Sequence, residues 1–243
     1  VYQHTFDRMA ERNKEYYEWF PEDAALATRI AEHLRTHEEY LPTGERLTDH
    51  RFQMAGHYLG GRWRERGLHY FLETAFAEGD DRLSDQFLSS MSSEVSFLAN
   101  PLYALMHETI YADGPADGTL PGIAGYELSP SPAPTNWAAA RVAAQRPEFS
   151  PEADTLFFTG EHIFPWYYEE DPALRPLADV AQILAEKKDW GRLYDHEQLH
   201  RNEVPVVAAA YNPDIYVDFE NSMETARWVG NTQVWTSKTH HHD

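Results

Sequence analysis

Up to about residue 112 the apolar positions recur at helical spacing; beyond about residue 154 they do not. In "YQHTFDRMAERNKEYYEWF" the residues Phe6, Met9, Tyr16, Trp19 and Phe20 mostly fall three or four apart, which predicts an amphipathic helix ended by Pro21. "PEDAALATRIAEHLRTHEEY" repeats the pattern with Ala24, Leu26, Ile30 and Leu34 before the turn "LPTGERL". "LTDHRFQMAGHYLGG" and "ERGLHYFLETAFAEG" predict two more amphipathic helices, each closed by glycine. "RLSDQFLSSMSSEVSFLANPLYALMHETIY" stays helical in character, with Pro101 forcing a new start. Residues 113–136 have no period and are rich in Gly, Pro and Ser, so a mobile loop is expected there, followed by a short helix in "WAAARVAAQ".

Later in the chain, "TLFFTGEHIFPW" reads as a short strand and a Gly turn, and "PALRPLADVAQILAEKKDW" as a helix. "VPVVAAAY" is a dense Val/Ala run of strand length, suited to burial on both faces as in a parallel sheet. "NSMETARWVG" predicts a short helix and "TQVWTSKT" a last strand. Strand, helix, strand is the repeating unit of an α/β sheet. Two or three strands do not make a stable parallel sheet alone. The expected organisation is a helical domain over 1–153 and part of an α/β core over 154–243.

Composition narrows the function. The chain has 243 residues, 42% apolar and 14% aromatic, enough to bury a core. Its formal net charge of −20 disfavours nucleic acid and anionic membranes and favours cationic ligands such as free amines. It contains no Cys, so neither disulfides nor thiolate chemistry is available. No apolar run approaches the roughly 18 residues of a membrane span and no signal-like segment opens the chain, so a cytoplasmic protein is expected. Val1 is not an initiator methionine and the chain stops directly after its histidines, so both ends read as cut.

One metal motif is present. His196-Glu197-Gln198-Leu199-His200 matches H-E-x-x-H, which on a long buried helix sets two imidazoles on zinc beside a glutamate base, with Glu220 as a third ligand. Here Asp195 reads as an N-cap and Pro205 stops any helix soon after His200, leaving about two polar turns. Two solvated histidines on a connecting helix fit better, and no metal or other cofactor is expected.

The order "FFTGEHIFPWYYEEDPALRPLADVAQILAEKKDW", "LYDHEQLHRNEVPVVAAAYNPDIYVDFENSMETARWVG" and "TQVWTSKTHHHD" resembles the C-terminal half of proline iminopeptidases, of the α/β-hydrolase class. "RFQMAGHYLG", "GLHYFLETAF" and "NPLYALMHETIYADG" resemble that family's helical cap, with 113–136 as an insertion. The resemblance implies an α/β-hydrolase fold, incomplete in this chain: a cap plus the last strands and helices of the sheet. It implies an acid after one late strand and a histidine after the last. Asp214, after "VPVVAAAY", resembles the acid, with Asp218 as the nearby rival; His242 resembles the general base, with His241 as the next candidate. Glu108 and Glu161 resemble the cap carboxylates that grip a substrate's free α-amino group, a cation that paired carboxylates bind by charge-assisted hydrogen bonds. Phe164, Trp166 and Tyr167 are expected beside Glu161 as an apolar wall for a pyrrolidine ring.

No G-x-S-x-G occurs, and the serines of "LSSMSSEVS" lack flanking glycines, so the nucleophile elbow and the Gly-rich oxyanion loop are not here. The expected partner is therefore a companion chain or N-terminal segment that supplies both, together with a small peptide or amide substrate bearing a free amino group. Alone, such a chain would expose a sheet edge and a half-covered core. Three other readings remain: an α/β-hydrolase acting on a different small amide or ester, a cap-type binding module without catalysis, and the zinc peptidase.

Overall fold

The computed structural model describes residues 1–77, 79, 81–107, 109–114 and 134–242. Most of the loop expected at 113–136 therefore lies outside the described residues. The first two helices follow the sequence pattern closely: α1 spans Tyr2–Trp19 and α2 spans Pro21–Thr36, with the proline at its first turn, where a missing N–H does no harm. Thr5, Phe6, Met9, Arg12, Asn13 and Tyr16 form the buried stripe of α1 at helical spacing. Trp19, expected on that stripe, is instead 55% exposed.

A two-residue hairpin, β1 (Glu39–Tyr40) with β2 (Arg46–Leu47), leads to α3 (Asp49–Gln53), capped by the Thr48 hydroxyl, which accepts from the Arg51 N–H. The amphipathic helix predicted through "GHYLGG" is in fact α3 followed by a 3₁₀ turn, Met54–Gly60. Helices α4 (Arg64–Glu73), α5 (Asp85–Val95, capped by Ser84), α6 (Pro101–His107, opened by the predicted proline) and α7 (Ala138–Ala143) complete the helical body. Its core includes Phe6, Ile30, Phe52, Phe87 and Phe158, each fully buried; side chains of this size stabilise by about 1.5–3 kcal/mol apiece.

The segment 156–160 departs from expectation. It joins no strand. Its backbone is satisfied by the helical body: Phe158 N–H donates to Asn13 Oδ1 at 2.8 Å, Thr159 N–H to the Gln53 carbonyl at 3.0 Å, and Asn13 Nδ2 donates to the Phe158 carbonyl at 2.9 Å. A buried amide side chain thus does the work of a neighbouring strand.

After the short helix α8 (Tyr167–Glu170) come α9 (Ala178–Glu186) and α10 (His196–His200), the latter capped by Asp195 as expected. Then β3 (Val206–Tyr211), α11 (Phe219–Trp228) and β4 (Thr232–Ser237) form the predicted strand–helix–strand unit, with β3 parallel to β4 in the register Val206 to Thr232 through Tyr211 to Ser237. Burial of β3 on both faces is not observed: Val207 is 77% exposed, and Trp235 on β4 is 52% exposed. Among the described residues no helix is long and apolar enough to cross a membrane.

Candidate active site

Two parallel neighbouring strands end side by side, so the loops leaving them meet, and such carboxyl ends are where α/β sheets bind ligands. The loop after β3 carries Asp214 and the segment after β4 carries His242. Asp214 Oδ2 lies 3.0 Å from His242 Nδ1. Asp214 is 4% exposed, and its Oδ1 accepts the backbone N–H groups of Tyr216 and Val217 at 2.8 and 3.0 Å. These bonds fix the carboxylate, and its second oxygen orients the imidazole so that Nε2 is the nitrogen able to exchange a proton. Arg12 Nη2 holds the preceding turn by donating to the Pro213 carbonyl at 3.1 Å.

The rivals have other tasks. Asp218 caps α11 by accepting the Asn221 N–H and lies 2.9 Å from His4 Nδ1. His241 Nε2 accepts from the Arg12 guanidinium at 3.3 Å, so that lone pair faces a cation. His240 Nδ1 sits 2.7 Å from Ser237 Oγ.

His242 is also fastened to the helical body: its N–H donates to the Gly60 carbonyl at 3.1 Å, and its ring meets Tyr216 edge-on at 5.0 Å. The Tyr216 hydroxyl donates to the His57 carbonyl at 2.7 Å. Gly60 is required here, because a Cβ would stand 2.1 Å from that hydroxyl.

Beside His242 opens a cavity of about 390 Å³ with Glu161, Tyr103, Tyr167 and Tyr216 in its wall. Glu161 is exposed and accepts a hydrogen bond from the Tyr103 hydroxyl; burial, then this carboxylate, push the Tyr103 pKa up. The expected aromatic wall is only partly realised. Tyr167 lines the cavity, whereas Phe164 and Trp166 do not. Phe164 is buried and stacks on Trp166, their centroids 5.5 Å apart, and Trp166 meets the His50 ring at 4.2 Å. Met54, Phe97 and Ile163 supply apolar wall instead. Glu108 lies outside the described residues.

Sequence reading missed a second polar pole. His57 Nε2 and Glu94 Oε2 are 2.7 Å apart in the same wall, and the Tyr58 hydroxyl donates to Glu94 Oε1 at 2.8 Å. The hydrogen bond from His57 is the main reason the Glu94 pKa is lowered. Burial works against the His57 cation, but Glu94 and the Met54 carbonyl outweigh it and raise its pKa. The only trace in the sequence is a Glu and a His on separate amphipathic segments.

The histidines of H-E-x-x-H go to different partners: His196 Nε2 is 2.9 Å from Asp113 Oδ2, and His200 Nδ1 is 3.3 Å from the Trp228 carbonyl. Among the described residues the group able to gather on one ion is Glu22, Asp23 and His69, far from that motif in sequence.

No family model matches the chain. A proline iminopeptidase from Aeromonas sobria is 38% identical over 244 residues, which is 100% of this chain and 53% of that protein. Proline iminopeptidase aneH from Aspergillus aculeatus is 32% identical over 240 residues, 96% of this chain and 49% of that protein. The chain spans about half the length of the curated relatives it matches, and the half it matches is the C-terminal one. These relatives imply an α/β-hydrolase fold, with which the helical body and the parallel strand pair are compatible. Over its whole length the chain is thus similar to the C-terminal half of proteins named proline iminopeptidase.

Proposed function

We propose that this chain is the cap and the acid–base half of a serine aminopeptidase of the proline iminopeptidase type, whose attacking serine and oxyanion loop come from a preceding segment or companion chain. The observation that carries the reading is the Asp214–His242 pair, 3.0 Å apart beside a cavity walled by Glu161. In the proposed reaction Glu161 binds the substrate's N-terminal ammonium. His242 Nε2 takes the proton of the serine hydroxyl as its oxygen bonds to the carbonyl carbon. The same proton passes to the leaving amine as the amide bond breaks, and water then cleaves the acyl ester by the reverse proton path. Asp214 stabilises the imidazolium throughout. An internal peptide nitrogen carries no charge, so it would leave Glu161 unpaired, which favours removal of N-terminal residues.

The test combines this chain with the polypeptide bearing G-x-S-x-G, or uses the full-length protein. The readouts are hydrolysis of prolyl anilide and labelling by a fluorophosphonate. Label on the preceding segment, lost in Asp214→Ala and His242→Ala, is expected. Homogeneous chain that turns over substrate with nothing else bound would refute the reading.

A further inference from the structure

Arg62, Arg64 and Arg66 alternate along the turn into α4, and of the three Arg64 lines the cavity. Arg62 and Arg66 place their guanidinium groups over the Trp63 ring, each 4.9 Å from its centroid. Trp63 has a φ of 68°, left-handed backbone that is costly for a bulky side chain and that collects at functional sites. Arg64, the next residue, folds its stem across Gly61, where a Cβ would stand 2.6 Å from Arg64 Cδ and 2.7 Å from Nε. Its side chain is exposed in the wall that also carries Glu161 and His242. Among the described residues its guanidinium has no hydrogen bond and no ion pair. Glu94 is not its counter-ion, because the two Glu94 oxygens already meet His57 and the Tyr58 hydroxyl, and Arg64 acts on Glu94 only through space. Glu161 is met by a neutral hydroxyl, that of Tyr103. Burial, then Glu161, raise the Tyr216 pKa while Arg64 opposes them, so both charges stand near the ring against which His242 rests. The wall thus offers a cavity of about 390 Å³ one carboxylate and one guanidinium without counter-ions, the complement of a small zwitterion.

We propose that Arg64 binds the free C-terminal carboxylate of the substrate while Glu161 holds its ammonium, so that the cavity selects dipeptides. The inference rests on the aminopeptidase reading of the cavity. A guanidinium presents paired N–H donors that match the two oxygens of a carboxylate. In a dipeptide that carboxylate belongs to the residue being released, one residue beyond the scissile bond. A longer peptide carries a neutral amide at this place and its carboxylate farther out. Water screens an exposed guanidinium, so the gain falls at the low end for hydrogen bonds between charged groups, about tenfold in affinity.

The test uses the full-length protein with Pro-Ala and Pro-Ala amide, which differ only in that the second lacks the carboxylate. Wild type is expected to favour Pro-Ala about tenfold in kcat/KM, mostly through KM, and added salt should shrink that preference. In Arg64→Gln the preference should fall to about one, whereas Arg64→Lys, which keeps the charge, should retain part of it. Thermal unfolding reports whether each variant folds. A wild type that treats the two substrates alike overturns the inference, as does an Arg64→Gln variant that loses equally on both, which assigns Arg64 a structural role. Calorimetry on His242→Ala, which should bind without turnover, decides independently of rate: Pro-Ala should bind about tenfold more tightly than its amide, and equal Kd values overturn the proposal. Wild-type protein that cleaves neither these substrates nor prolyl anilide would refute the aminopeptidase reading. Active wild type indifferent to the carboxylate refutes this inference alone.

Discussion

Replacing Asp214 by asparagine separates what this residue does for the fold from what it does for the imidazole. The Asn carbonyl can still accept from Tyr216 and Val217, whose N–H groups sit 2.8 and 3.0 Å from Oδ1. Bonds to a charged oxygen are roughly twice as strong as neutral ones, so two weakened bonds lower stability by about 2 kcal/mol in all. The other position changes sign: an amide N–H now faces His242 Nδ1, where Oδ2 stood at 3.0 Å. The ring must flip its proton to Nε2 and can no longer take one from a serine. A wrong tautomer of this kind lowers kcat by about 10⁴, or about 5.5 kcal/mol of barrier. Urea unfolding and fluorophosphonate labelling of the full-length protein read the two effects separately. Asp214→Asn that labels within about tenfold of wild type would refute the assignment, whatever its stability.

Gly60→Ala should impair both packing and turnover, because the added Cβ would stand 2.1 Å from the Tyr216 hydroxyl; a loss of about 1–3 kcal/mol in unfolding free energy is expected. Asn13→Leu removes the amide that meets both backbone groups of Phe158 and leaves them orphaned, which should destabilise by about 2–5 kcal/mol in thermal or urea unfolding, with no ionic-strength dependence. His50 lies between Asp49 and Glu170, at 3.2 and 2.6 Å. Although burial alone would lower its pKa, hydrogen bonds to these two carboxylates raise it to about 9. Its stabilising contribution is therefore full below pH ~6.5 and lost as pH rises through about 9; stability measured across that window should decline in wild type and decline less in His50→Gln.

Much of the architecture was legible because it depends on local rules. Pro21 and Pro101 open helices where their missing N–H is harmless, Asp195 caps α10, and the Val/Ala run before "YNPD" pairs with "TQVWTS". Asp214 and His242 were singled out by the resemblance instead, and the structure brings them within 3.0 Å, each trailing one of two parallel strands. What sequence could not give is which face or partner a segment chooses. The run through Phe157 and Phe158 shows burial without showing that Asn13, rather than a strand, would satisfy its backbone. Phe164, Trp166 and Tyr167 form a nearly continuous aromatic stretch with no period to say which ring turns toward the cavity; only Tyr167 does. The His57–Glu94 pair joins residues from separate helical segments, and packing alone brings them together.

The seating of His242 ties the Asp214–His242 pair to the helical body. Its backbone hangs from Gly60, and the ring rests against Tyr216, which is itself anchored to His57. Gly60 and His57 belong to the helical body, while Tyr216 and the carboxylate that aligns the ring trail the sheet. Any excursion that lifts the helices off the strands must therefore disengage the proton carrier from one side or the other. On the proposed reading, opening for product release would therefore interrupt proton transfer until the helices and strands close again.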